Sequence, residues 1–259
     1  MTNPPTDSKR VRVALFVTCL VDIFRPAVGF AAAKLLEDAG CEVEVPAQTC
    51  CGQPAYNGGD ASDARELAKR IITTFETYEF IVAPSGSCAG MMRIHYPRLF
   101  ENDPAWSARA EQFAVKIHEL FSFLVNVRGM KAVSAKCALA TAYHDSCSSL
   151  REMGVAKEPR LLLSTVEGLR ICELSEPQSC CGFGGFFAVK YPEISARMAD
   201  DKIADVQASG AGMLIGADLG CLMHLAGRLA RRGEKTPVRH AAEVLAGFAA
   251  EPGIGEESR

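Results

Sequence analysis

The chain has 259 residues, 48% of them hydrophobic and 23% charged, with a net charge of −3. That length suits one large domain or two half-size ones, and the composition suits a soluble globular protein with a real core. The charge balance gives no electrostatic case for nucleic acid or an anionic membrane as partner. No transmembrane segment is expected, because the apolar run from Val13 to Leu20 soon meets Asp22 and Arg25. Met1 to Arg10 is polar and holds no apolar leader. The expectation is a cytoplasmic protein with a loose start and a loose acidic tail, Glu251 to Arg259.

In chain order, a β-rich segment from Val11 to Thr18 ends at Cys19, and a helix over Val28 to Ala39 closes at Gly40. A second strand, Cys41 to Pro46, leads to the adjacent pair Cys50-Cys51 and Gly52. Ala64, Leu67, Ala68, Ile71, Ile72 and Phe75 recur at steps of three and four, which predicts an amphipathic helix over Ala61 to Tyr78. A third strand, Phe80 to Ala83, delivers Cys88. Ala105 to Val127 reads as an end helix, followed by a linker.

The order then repeats. A strand near Ala138 to Tyr143 leads to Cys147, and a helix covers Glu158 to Val166. Strand Arg170 to Leu174 precedes Cys180-Cys181 and Gly182. A helix over Tyr191 to Ser209 and strand Met213 to Gly216 lead to Cys221, and Arg228 to Gly247 matches the first end helix. The repeated cysteines recur at offsets of 128, 130 and 133 residues. Alternating strands and helices predict an α/β fold of two pseudo-symmetric repeats, 11–128 and 137–248, each a small parallel sheet flanked by helices. Ligands of such sheets sit beyond the carboxyl ends of the strands, where every repeated cysteine falls.

Eleven cysteines, an odd number, fit disulfide pairing badly in a reducing compartment, so metal binding or redox chemistry is the better reading. The candidate metal ligands are Cys19, Cys50, Cys51 and Cys88 in one half, and Cys147, Cys180, Cys181 and Cys221 in the other. Grouped thiolates suit iron–sulfur clusters or zinc. Structural zinc uses short knuckles, whereas these ligands come from three loops and two are immediate neighbours. A cluster offers several irons to neighbouring thiolates, so iron–sulfur is preferred; zinc and a dithiol redox pair stay open. Gly52, Gly182, Gly184 and Gly185 are candidates for shaping the site, since glycine allows positive φ and close approach of N–H groups to sulfur. Cys41, Cys172 and Cys137 read as core residues, and His95, His118 and His240 as bland. His144 and Asp145 are placed to relay protons or to hydrogen-bond a ligand; Asp145, like Asp218, is equally placed to cap a turn. Asp22 and Arg25 read as a solvated loop or a docking face.

The segments LFVTCLVD around Cys19, CCGQPAYN at Cys50, PSGSC at Cys88, CCGFGGFFAVK at Cys180 and LIGADLGCLM at Cys221 resemble the CCG (cysteine-rich) domain family. The match is closer to its lactate-utilisation protein A branch; the family also includes the B component of heterodisulfide reductase and the iron–sulfur component of glycolate oxidase. The resemblance runs from about Val11 to Leu245. It implies two 4Fe–4S clusters in an electron-transfer subunit of an L-lactate oxidation complex, converting lactate to pyruvate. It also implies B and C companion proteins of the lactate-utilisation system and a further electron acceptor. Cluster-based disulfide reduction, a glycolate-oxidase-type role and a zinc-binding scaffold are the alternatives. The heterodisulfide reductase pattern ends each repeat in Cys-x-x-Cys, whereas Met91 and His224 stand at those last positions here. Met91 then reads as packing, and His224 as a helical histidine or a substitute ligand.

Overall fold

The computed structural model describes residues 10–256, and Met1 to Lys9 and the last three residues of the tail lie outside them. Two four-stranded parallel sheets carry the fold. The first has the order β2-β1-β3-β4, built from β1 (Val11–Leu15), β2 (Cys41–Glu44), β3 (Phe80–Ala83) and β4 (Ile117–Glu119). The second repeats it as β6-β5-β7-β8, from β5 (Ala140–His144), β6 (Arg170–Cys172), β7 (Met213–Gly216) and β8 (Val238–His240). Val13 pairs with Phe80 where Thr141 pairs with Met213, so the registers correspond, at an offset of 128 in the first strand and 133 in the third.

Side chains alternate across each strand, and this sorts the core into layers. Val13 and Leu15 of β1 face a central core shared with the second repeat, while Ala14 and Phe16 face the outer helix Ala61–Phe75. The second sheet does the same, with Tyr143 and Ile215 turned to the shared core and Ala142 and Leu214 to the outer helices. Four helical segments fill the centre, and their pairing is reciprocal. Helix Pro26–Asp38, which follows β1, packs on Ala241–Leu245, which follows β8. Helix Lys157–Leu163, in the position of the former, packs on Leu120–Ser122 after β4. The repeats thus meet as an isologous pair within one chain.

Close approach is required on the same axis. A Cβ on Gly86 would stand 2.7 Å from the Ser149 backbone, so the helix Gly86–Gly90 crosses Cys147–Arg151 only because that position is glycine.

Two expectations change. The end helix over Ala105 to Val127 is instead helix Ser107–Ala114, strand β4 and a second helical turn, and the matching C-terminal stretch contains β8. A three-residue strand is shorter than the alternation that would reveal it. The tail from Glu251 to Glu256 is docked rather than loose. The Ile254 N–H donates to Val238 O at 2.8 Å, and Arg25 reaches Pro252 O at 2.6 Å and buried Glu243 at 2.8 Å. Arg25 is therefore an ion-pair anchor between repeats, not part of a solvated loop or a docking face.

The shared core also holds Glu119, fully buried at the end of β4. Its Oε2 accepts from the Ser122 N–H at 2.9 Å, and its Oε1 has no partner. Burial, reinforced by Glu158 and Asp218, pushes this carboxyl up to about 8 from 4.5. The folded protein keeps the proton where the unfolded chain releases it, so the stability present below about pH 4.5 is lost as pH rises towards 8. Glu119→Gln has no proton to lose. Thermal unfolding at about pH 5 and about pH 8 should show the variant gaining on the parent at the higher pH; parallel behaviour would contradict the assignment.

Candidate metal centres

A strand order of 2-1-3-4 reverses its winding between β1 and β3, and a crevice opens where their following loops diverge. Cys19 leaves β1 and Cys88 leaves β3 on the two sides of that crevice, while the loop after β2 brings in Cys50 and Cys51. Cys147, Cys221 and the pair Cys180-Cys181 occupy the same places around β5, β7 and β6.

All eight cysteines converge as two sets of four. Cys19 is in hydrogen-bonding contact with Cys50, Cys50 with Cys51, and Cys51 Sγ lies 3.4 Å from Cys88 Sγ. The second set makes the same chain, Cys147 to Cys180 to Cys181 to Cys221. Cys51, Cys88, Cys181 and Cys221 form the buried wall, and Cys19, Cys50, Cys147 and Cys180 the half-buried rim.

Backbone N–H groups point at sulfur in both sets. Gly52 donates to Cys50 Sγ and Gly182 to Cys180 Sγ, each at 3.4 Å, and Phe183 donates to Cys181 Sγ at 3.4 Å. Gly52 and Gly182 sit at φ 84° and 87°, the left-handed region that an L side chain resists. Gly184 and Gly185 also have positive φ and turn the chain into helix Phe186–Lys190; among the described residues neither hydrogen-bonds a sulfur. Thr18, before Cys19, is the only non-glycine residue at positive φ (73°) among those described, a strain absent from its counterpart Ser146.

Crowding shapes the ionisation. Hydrogen bonds from Cys19 and Cys51 draw the Cys50 thiol well below the usual range, and those from Cys147 and Cys181 do the same to Cys180. Hydrogen bonding to those favoured thiolates, with burial, pushes Cys19, Cys51, Cys147 and Cys181 up. In each set the Cys50 or Cys180 thiol is the one favoured to ionise, and burial with like charge opposes it at Cys19, Cys51, Cys147 and Cys181. Four soft donors, three converging loops and N–H groups aimed at sulfur fit a metal or metal cluster.

Some of the other candidate residues depart from their sequence reading and others match it. Asp145 is not the cap; it is held by Arg160 at 2.7 and 2.8 Å, and Ser146 caps the helix. Asp218 accepts from Ser85 Oγ at 3.1 Å and the Ser87 N–H at 3.0 Å, so it holds the start of the Cys88 helix from the other repeat. His95 and His240 are not bland. His95 bridges Tyr56 and Glu152, and His240 contacts Pro84 O at 3.1 Å, both across the repeat boundary. His224 is held by Ser195 Oγ at 3.2 Å, Met91 is fully buried, and Cys41, Cys137 and Cys172 are buried thiols of the core and sheet. His144 is fully buried with both ring nitrogens unpartnered, and one of them lies within 4.8 Å of the Cys181 and Cys221 sulfurs. Burial pushes its imidazole down to about 4. Phe183 and Arg160 were not singled out in the sequence; a backbone donor and an ion-pair partner carry no motif.

The cysteine-rich domain (CCG) profile matches residues 13–93 and 141–226, the segments that contain the two sets. The chain belongs to the cysteine-rich (CCG) domain family. Lactate utilization protein A of Bacillus subtilis (strain 168) is 50% identical over 236 residues, covering 91% of this chain and 99% of that one. The protein of the same description from Bacillus cytotoxicus is also 50% identical, over 91% of this chain and 98% of its own. A structure of a hypothetical protein from Helicobacter pylori matches with TM-score 0.65 at 14% identity. It covers 99% of this chain, which spans 50% of that structure, and the likeness is one of fold. Among the described residues no helix is long and apolar enough to cross a membrane.

The two glycines after the cysteine pairs differ in surroundings. A Cβ on Gly182 would meet Ser195 O at 2.6 Å, whereas on Gly52 the nearest atom is Leu67 Cβ at 3.4 Å. Both carry the left-handed penalty of about 1–2 kcal/mol, and overpacking adds about 1–3 kcal/mol at Gly182. Thermal unfolding should therefore show Gly182→Ala clearly more damaging than Gly52→Ala; equal losses would contradict this packing.

Proposed function

We propose that each cysteine set holds a 4Fe–4S cluster and that the chain is the electron-transfer subunit of an L-lactate oxidation system. The supporting observation is the same four-thiol constellation built twice, at equivalent crevices of two sheets. Residues 11–128 and 137–248 are the two cysteine-rich units of this reading, and the setting is cytoplasmic. Cys19, Cys50, Cys51 and Cys88 hold one group, and Cys147, Cys180, Cys181 and Cys221 the other. When bound, such groups supply one-electron chemistry at potentials set by burial, charge and hydrogen bonds to sulfur.

The chain's own residues supply position and insulation. The buried wall excludes water, the Gly52, Gly182 and Phe183 N–H groups offset negative charge on sulfur, and the half-buried rim lets electrons pass to a partner. A cavity of about 440 Å³ opens beside Cys19 and Cys50 and is lined by Asp22, Ile23, Val45, Gln48 and other residues, none of them cationic. A lactate carboxylate finds no counter-charge there, which favours a role in relaying electrons over one in binding substrate. Ile23 and Val45 are exposed on the same rim, 68% and 57%, as suits contact with another protein. The companion B and C proteins of the lactate-utilisation system are the proposed partners, with a further electron acceptor beyond them.

The test is anaerobic. With L-lactate alone, the visible absorbance of the reconstituted chain should stay unchanged; with the companion B and C proteins added, it should bleach. Bleaching by lactate alone would move the substrate site onto this chain, and no bleaching with the companions would overturn the reading.

A further inference from the structure

The two sites are not copies of one another. Just after β1, three residues before Cys19, stands Phe16, fully buried and packed edge-on against Phe75 at 5.7 Å. The same place in the second repeat, three residues before Cys147, is taken by His144. A fully buried imidazole with neither nitrogen hydrogen-bonded is costly, because each desolvated polar atom goes without a compensating hydrogen bond. The sequence keeps it there, with one ring nitrogen beside the sulfurs of Cys181 and Cys221. A second polar substitution lies on the same side. Gly52 packs on Ala64 and Leu67, and Gly182 on Ser195 and Met198, an offset of 131. By that offset Lys202, fully buried and donating to Glu176 O at 2.7 Å, stands where the first repeat has buried Ile71.

We propose that His144 is an N–H donor to the sulfur face built by Cys181 and Cys221, and that it makes the second site the more easily reduced of the two. This rests on the reading that both sets hold iron–sulfur clusters. A neutral imidazole can carry its one N–H on the nitrogen that faces the sulfurs, and the charged form carries N–H on both, so the ring can donate in either form. Four thiols already complete the ligand set, which leaves the imidazole to act on sulfur rather than on metal. A hydrogen bond to sulfur draws off negative charge and favours the reduced form, raising the potential. Phe16 offers the first site only hydrocarbon. Electrons entering either site then collect in the second repeat, which fixes a direction of flow along the chain.

Iron content, redox titration followed by EPR, and electron spin echo spectra of protein labelled with 15N in histidine test this together. In the parent, two potentials should be resolved, with weak nitrogen coupling to the higher-potential signal. His144→Phe, which restores the side chain of the first repeat, should lower that potential alone. A tenfold fall in the reduction equilibrium constant corresponds to about 59 mV for one electron. The labelled parent keeps the idea falsifiable should the variant fold poorly. Unshifted potentials at full iron content, equal shifts of both, absence of nitrogen coupling, or coupling strong enough for a direct ligand would each overturn the inference. A parent that takes up no iron would instead overturn the cluster reading itself, and this inference with it.

Discussion

Sulfurs packed in a chain of contacts repel one another once ionised unless positive charge sits among them. Each repeat nevertheless drives four thiols together, two of them on the dry side of a crevice, and aims backbone N–H groups at the result. A thiol cluster of this kind costs stability unless something binds it. Much of the local architecture follows from that demand. Glycines stand at positive φ after each pair, short helices begin at Cys19 and Cys147, and Ser85 and Asp218 are fixed at the starts of the helices that carry Cys88 and Cys221.

The second constraint is the reciprocal docking of the repeats. Neither sheet has its inner face covered by its own helices alone; each borrows a helix from the other. Several of the bonds that join the repeats involve the short helices that carry the thiols, or the residues next to them. Asp218 grips the Cys88 helix, Glu152 meets His95, and His240 reaches Pro84.

The fold class was readable because β1, β3, β5 and β7 are buried runs followed by cysteine, and because the outer helix Ala61–Phe75 has a clean apolar stripe. The converging thiols were readable from position alone, since parallel sheets collect loops at one edge. What was not readable depends on tertiary contact. Strands β4 and β8 are three residues long and gain identity only by pairing with β3 and β7. Arg25 looks like a loop residue until Glu243 and the docked tail are placed beside it. His144 and Phe16 occupy one structural position, yet they align only once the cysteine offset is applied to the residues between the motifs.

The most direct measurement is iron and acid-labile sulfide per chain on anaerobically purified protein. Two cubane clusters predict about eight irons and about eight sulfides. Zinc without sulfide, even after anaerobic reconstitution, would contradict the account and leave a non-redox scaffold in its place.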